Sequence, residues 1–397
     1  MNPNPNIIDR ADTFMFKTYR RSPVTLVKGD GCRVWDENDK VYIDFVAGIA
    51  VCTLGHSSPI VSKALCEQSK KLVHVSNLFY TQPQTELAQI LVENSFADRV
   101  FFCNSGAEAN EAAIKLARRY SKEKLGPERH VIITMDNSFH GRTMATLSAT
   151  GQEKIRKGFD PLLDGFRFVP FNDLENLKSA IDGSVCAVML EPIQGEGGVV
   201  VPDPDYLKGV RELCREHAIL LILDEVQVGM GRTGRFFAHQ HSGVTPDIMT
   251  LAKALGNGLP IGAMLAKEEL TDSFGPGSHA TTFGGTPLIT AGALAVVKSL
   301  LNDGWIENAR EMGDYFKDKL TDLRQKHSII KDVRGLGLIL ALGMDREVAD
   351  IANACMERGF LINCVQERIL RFVPPLIIGK EDIDLLISCL DEVFKQI

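Results

Sequence analysis

The chain has 397 residues, 45% of them hydrophobic and 24% charged, an ordinary composition for a folded protein with a large buried core. Lys plus Arg number 44 against 51 Asp plus Glu, a formal net charge of −7, which argues against the clustered basic surface that a nucleic-acid backbone requires. No apolar run is long enough to span a bilayer, Met1–Ile7 lacks the apolar core of a secretory signal, and the nine cysteines contain no CxxC pair. The expectation is a cytoplasmic protein with no nucleic-acid partner, no membrane contact, no disulfide framework and no metal.

In chain order, residues 28–39 are rich in Gly and Asp and read as turns between short strands. The middle of the chain then repeats one pattern, a short apolar run that ends abruptly in polar or Gly residues. Arg99–Cys103 runs into Asn104-Ser105-Gly106, and His130–Met135 into Asp136-Asn137-Ser138-Phe139-His140-Gly141-Arg142. Val185–Leu190 runs into Glu191-Pro192, Ala218–Leu223 into Asp224-Glu225, and Asp247–Leu251 into Ala252-Lys253. Uninterrupted runs of this length, separated by helical segments, predict strands of a parallel sheet buried on both faces. Ala107–Tyr120 is the clearest helix, with Ala109, Ala112, Ala113, Leu116 and Ala117 at helical spacing. Beyond residue 300, amphipathic helices at Trp305–Lys326, Arg346–Arg358 and Glu381–Lys395, with short strands near Ile339 and Leu370, read as a second, α+β domain. The division expected is an N-terminal segment 1–58 packing with the small domain, a large domain 59–299 and a C-terminal small domain 300–397.

In an open α/β sheet, ligands sit beyond the carboxyl ends of the strands, where these polar residues gather. Lys253 follows an apolar strand and precedes a Gly-rich turn. A lysine there is either an ordinary loop residue or an amine that, once desolvated, loses its proton and attacks an aldehyde. Asp224 closes the most apolar run in the chain, and a buried carboxylate needs a cation or hydrogen-bond partners. Its partner is either a protein group or a ligand cation; a Lys Schiff base with an Asp at the pyridinium nitrogen is the general pattern of pyridoxal-phosphate sites. Ser105-Gly106-Ala107 begins a helix whose free N–H groups and dipole suit a phosphate, as at many strand–helix joints. Phe139 either stacks on a flat ring or fills its loop, and Arg142 either grips a carboxylate or lies at the surface. Glu196, in a Gly-rich loop, reads by itself first as a solvated carboxylate and second as a partner to a cation. Arg371 interrupts an apolar strand, where a charge has a partner, a ligand or a solvent-facing position. His239 and His241 flank one residue with no third ligand at metal-site spacing.

Taken together, Ser105–Asn110, Phe139–Thr143, Glu191–Glu196, Asp224–Gln227, Lys253 and Thr282-Phe283-Gly284-Gly285 resemble the class III, ornithine-type aminotransferases of pyridoxal-phosphate fold type I, over nearly the whole chain from about Tyr19. The resemblance implies an α/β fold with a mostly parallel sheet of the seven-stranded type, covered by helices, and a smaller α+β domain from the two chain ends. It implies pyridoxal 5'-phosphate as cofactor, held covalently by Lys253, which also shuttles the proton. It implies Asp224 at the ring nitrogen, Gln227 at the phenolic oxygen, Phe139 on the ring face, and Ser105, Gly106 and Ala107 at the phosphate. Glu225 and Val226 are expected at the cofactor as part of the same motif. Thr282 would reach the phosphate of a second copy, which makes the active unit a homodimer with shared sites. Arg142 and Thr281 would bind substrate, and Glu196 would neutralise Arg371 whenever no carboxylate lies beside the reacting carbon. Within the family, Phe45–Val51 and Ser76–Phe79 resemble the branch that takes the terminal amine of N-acetylornithine, with 2-oxoglutarate as acceptor. Ile49 stands where ornithine-specific members carry a Tyr, and an apolar residue suits an acylated amine. Ornithine, succinylornithine, succinyldiaminopimelate and 4-aminobutyrate remain rival donors, and an aminomutase, racemase or decarboxylase would share the same cofactor chemistry. A nicotinamide dehydrogenase would call for a G-x-G-x-x-G after an early strand, and the chain has none there.

Overall fold

The structure, a computed structural model, describes residues 6–397. Its centre is a seven-stranded sheet in the spatial order Arg99–Cys103, Gly262–Ala266, Ile248–Leu251, Leu220–Asp224, Val185–Leu190, Val131–Met135, Phe166–Val169. Gly262–Ala266 runs antiparallel to both neighbours, and every other pairing is parallel. The central parallel strands are buried on both faces, which is why they read as unbroken apolar runs rather than alternating ones. Every residue of Val185–Leu190, Leu220–Asp224 and Ile248–Leu251 is buried.

Because these strands run the same way, their carboxyl ends lie along one edge. Asp224 ends its strand there, Glu191 comes one residue after Leu190, and Lys253 two residues after Leu251. The helix Gly106–Lys124 starts from the same edge; Ser105 caps it by accepting the Glu108 N–H on Oγ at 3.2 Å. Its buried face carries Ala109, Asn110, Ala112, Ala113, Leu116 and Ala117, so small residues let it lie close against the sheet.

Two four-stranded sheets flank this core. In one, Leu26–Asp30, Arg33–Asp36 and Val41–Asp44 form a meander that takes Phe360–Leu361 as a parallel fourth strand, so the two ends of the chain meet. The other is an antiparallel sheet of Ile330–Leu336, Ile339–Met344, Ile369–Phe372 and Asn363–Val365. Helices Trp305–Lys326, Ala349–Glu357 and Lys380–Phe394 accompany it. The helices and strands expected beyond residue 300 are therefore present, with ends displaced by a few residues where they fray. The seven-stranded sheet contains two strands beyond the apolar runs read from the sequence, Phe166–Val169 and Gly262–Ala266. Among the described residues, no helix is long and apolar enough to cross a membrane.

The antiparallel strand meets the phosphate-type turn with no space to spare. A Cβ on Gly262 would stand 2.2 Å from the Ser105 carbonyl oxygen and 2.9 Å from Cys103 Sγ. Backbone cannot yield as a flexible side chain does, so overpacking here has to move the Ser105 turn itself. Gly262→Ala is expected to lower stability by about 1–3 kcal/mol. A denaturant midpoint equal to that of the parent chain would contradict this close approach.

Candidate active site

The strand ends and the helix start enclose a cavity of about 370 Å³, lined among others by Ser105, Gly106, Ala107, Phe139, Arg142, Asp224, Val226, Gln227 and Lys253. At its base Asp224 is buried, and its oxygens are filled from three elements. Oδ2 accepts from Asn110 Nδ2 at 2.7 Å and lies 2.8 Å from His140 Nδ1; Oδ1 accepts from the Val226 N–H at 3.1 Å. Asn110 is fixed in turn, since its Oδ1 accepts from Thr250 Oγ1 and its Nδ2 also donates to the His140 carbonyl. Asp224 stands out in the sequence, whereas Asn110 and His140, which hold it, carry no role there. The available signal was a polar Asn110 on the alanine-rich face of an otherwise amphipathic helix.

Lys253 sits in a left-handed backbone conformation, φ 42°, directly after its strand. That conformation is uncommon for a residue with a Cβ. Burial lowers the tendency of its amine to hold a proton; Glu196 opposes this, Arg371 adds to it, and Asp224 and Glu191 oppose it, with a net shift downward. A lysine in this position is more easily neutral, as a nucleophile must be.

Facing Lys253 is an ion pair. Arg371 is fully buried; its Nη1 donates to Glu196 Oε1 at 2.6 Å and to Gln227 Oε1 at 3.1 Å, and its Nε to Asn363 Oδ1 at 2.8 Å. Its Nη2 is buried and has no partner. Gln227 Nε2 also donates to Glu196 Oε1, at 3.2 Å. Burial raises the Glu196 carboxyl, but the charges of Arg371 and Lys253 and the hydrogen bonds from Arg371 and Gln227 outweigh it, so its pKa lies below the ordinary value. Glu196 is thus an anion that answers a buried cation, the paired alternative of the sequence reading.

Glu191, noted in the sequence without a role, joins two loops. Its Oε2 accepts the Phe139 N–H at 3.1 Å and its Oε1 the Gly195 N–H at 3.2 Å. Burial pushes its pKa from 4.5 up to about 7, His140 opposes this, Asp224 adds to it, and the two backbone donors oppose it.

Among the other expected site residues, Phe139 is half-buried, with the exposed Arg142 guanidinium 5.5 Å from its ring centroid. Thr281 Oγ1 accepts from Asn104 Nδ2 at 3.2 Å and from the Gly284 N–H at 3.1 Å, and Thr282 is exposed; neither lines this cavity. Glu225 departs from expectation. Its carboxylate accepts from the N–H groups of Ala238 and His239 and pairs with His239 Nδ1 at 2.8 Å, so its side chain caps a neighbouring turn instead of facing the cavity. Val51 lines the cavity, following a turn in which Ala47, Gly48, Ile49 and Ala50 all have positive φ. Asp44 holds that turn through the N–H groups of Val46 and Ala47, and it pairs with His56 at 2.7 Å.

The aminotransferase class-III family profile matches residues 14–394. The acetylornithine aminotransferase of Caldanaerobacter subterraneus subsp. tengcongensis is 52% identical over 385 residues, 97% of this chain and 98% of that protein. The acetylornithine aminotransferase of Methanocaldococcus jannaschii is 53% identical over 395 residues, 99% and 98% respectively. Among solved structures, an ornithine aminotransferase from Toxoplasma gondii, with partial occupancy of PLP at its active site, superposes with a TM-score of 0.94 at 35% identity, covering 98% of this chain and 93% of that one.

An ordinary glutamate ionises near 4.5 and Glu191 near 7, so between these values the folded chain binds a proton that the unfolded chain has released. Stability is therefore lost as pH rises from about 4.5 to about 7. Glu191→Gln removes this contribution, about 3 kcal/mol across the window. Stability curves of the cofactor-free parent and variant that run parallel from pH 4.5 to 8 would show that Glu191 does not titrate there.

Proposed function

The chain belongs to the class-III aminotransferases, and from that premise we propose that it moves the terminal amino group of N-acetylornithine to 2-oxoglutarate, giving N-acetylglutamate semialdehyde and glutamate, with pyridoxal phosphate as cofactor. The donor follows the relatives that cover nearly the full length of the chain at about half identity. The observation that carries the reading is the Arg371–Glu196 pair beside Lys253: a buried guanidinium neutralised by a carboxylate of the chain itself.

The residues present suit the cofactor. The cavity has the volume of a small-molecule site, a buried carboxylate lies at its base, and a helix start opens at its edge. Lys253 would hold the aldehyde carbon, Asp224 the ring nitrogen, Phe139 a ring face, and the turn Ser105-Gly106-Ala107 the phosphate. Gln227 and Val226 would border the ring. When bound, pyridoxal phosphate supplies an aldehyde and an electron-withdrawing ring that stores the amino group between the two halves of the reaction.

The chain's own groups then divide the work. Lys253 Nζ, its proton loosened by burial, takes the proton from the carbon bearing the reacting amine. Asp224 is held at the base of the cavity by Asn110 and His140. An acylated donor reacts at its far end, so its α-carboxylate lies at a distance and falls to Arg142. Glutamate reacts at its α-carbon, so its α-carboxylate calls for Arg371 and its side-chain carboxylate for Arg142. Glu196 occupies Arg371 in the first case and leaves it in the second, which spares the guanidinium an unpaired state. Thr282, exposed and outside its own cavity, and the exposed Phe79, Tyr80 and Phe283 support a homodimer in which Thr282 serves the phosphate of the other subunit.

Absorbance of the bound cofactor, followed as one amino donor is added without keto acid, separates the halves. N-acetylornithine and glutamate should each discharge it, and a faster response to ornithine or 4-aminobutyrate would move the donor while keeping the family. Arg371→Ala should raise KM for glutamate on the order of a hundredfold, from two lost charged hydrogen bonds, and leave the acylated donor far less affected. Arg142→Ala should weaken both donors. Equal damage to both from Arg371→Ala would refute the division of roles. Lys253→Ala should abolish turnover, and turnover near that of the parent would remove Lys253 from the mechanism.

A further inference from the structure

An arginine that has to change partners during each cycle needs something else to hold it when the first partner leaves. Glu196 is a mobile partner by its chemistry. It is partly exposed and sits in the glycine-rich stretch 195–198. If it were the sole contact, Arg371 would be free to follow it.

The guanidinium has a second anchor on its own sheet. Asn363 lies directly opposite Arg371 in the antiparallel pairing of Asn363–Val365 with Ile369–Phe372. Directly opposed residues project on the same face with their Cβ atoms close together. Asn363 Oδ1 accepts from Arg371 Nε at 2.8 Å. Gln227 Oε1 accepts from Nη1 at 3.1 Å, and Nη2 remains buried without a partner.

This distribution of donors is uneven in an informative way. The Nε edge is taken by a neutral oxygen, which supplies no compensating charge. Nη1 is shared between Glu196 and a neutral amide. Nη2 is unfilled, and a buried guanidinium N–H without an acceptor is costly unless something arrives to fill it. A carboxylate entering beside Lys253 needs only to displace Glu196 Oε1 from Nη1 and to place its other oxygen on Nη2, a bidentate seat.

The Glu196 main chain is also held, since Gln366 Nε2 donates to its carbonyl at 3.1 Å and Glu191 holds the adjacent Gly195 N–H. The loop backbone is thus tied on both sides of the Glu196 side chain.

We propose that Asn363 is the positioning residue that keeps the Arg371 guanidinium in place when Glu196 gives way to an incoming α-carboxylate. The inference rests on the two-donor reading of the site. An acylated donor leaves the Glu196–Arg371 pair closed, so Asn363 matters there little. Glutamate opens it, and the orientation of Arg371 then depends on Asn363 and Gln227.

The test compares the parent holoenzyme with Asn363→Ala in two measurements. In steady-state turnover, run with glutamate and N-acetylglutamate semialdehyde or with N-acetylornithine and 2-oxoglutarate, KM for glutamate should rise about tenfold, the effect of one charged hydrogen bond, with kcat changed little. KM for N-acetylornithine should move by less than about twofold. Calorimetric titration of the holoenzyme with glutarate, which carries both carboxylates and no amine, should show the same tenfold weakening. A general loss of structure would affect both donors and kcat together, and that outcome, like unchanged glutarate affinity, overturns the role of Asn363. Failure of the parent enzyme to react with glutamate while it still binds glutarate overturns the proposed function alone, since the glutarate comparison still decides on Asn363.

Discussion

A buried carboxylate has to be answered on every side, and much of the site follows from how Asp224 is answered. Removing an ionised carboxylate from water is tolerated only where its oxygens meet donors or a cation. Asp224 draws Asn110 from a helix, His140 from the loop after Val131–Met135, two strands away in the sheet, and the Val226 N–H from its own turn. Thr250, on the next strand of the sheet, secures Asn110. One anion therefore fixes the depth of the helix, the path of the Phe139–Arg142 loop and the turn that carries Gln227. These are the elements that line the cavity, and the loop and the turn cannot shift without leaving Asp224 short of a donor.

The second constraint crosses the cleft. Glu196 belongs to the loop after a strand of the large sheet, and Arg371 to the small antiparallel sheet. A buried ion pair adds little net stability, because desolvation offsets most of its attraction. Its value lies in what it prevents, since a fully buried guanidinium left alone would be far worse. The two sheets are held together by other means: Arg232 donates to the carbonyls of Leu338 and Pro374, and Arg334 Nε to the Gly198 carbonyl at 2.8 Å. With the frame supported elsewhere, the Glu196–Arg371 pair is available for function.

Glycine appears where close approach requires it. A Cβ on Gly195 would stand 2.1 Å from Gln227 Oε1, the same oxygen that accepts from Arg371. The loop thus comes near enough for Glu191 to hold the Gly195 N–H while Gln227 hydrogen-bonds to both Glu196 and Arg371. Backbone anchoring and the Glu196–Arg371 pair lie within a few residues of each other.

The sequence by itself determined the buried parallel strands, because unbroken apolar runs of four to six residues, closed by Gly and polar residues, are too short for helices and suit strands covered on both faces. It also determined the edge where the polar residues gather, since every run ends in the same direction. It missed Gly262–Ala266, whose Gly, Ala and Met carry weak strand preference, and Phe166–Val169, an edge strand interrupted by Arg167. Lys253, Asp224, Gly106 and Phe139 were legible because each sits within a few residues of a strand end. What only the tertiary structure decided is who meets whom. Glu225 and Asp224 are adjacent in sequence, yet one faces the cavity and the other caps a turn, since successive residues leaving a strand point to opposite sides. Asn110 with Asp224 and Glu196 with Arg371 lie 114 and 175 residues apart. No local pattern encodes such a distance; packing of the helix on the sheet, and of one sheet against another, brings these charges and donors together.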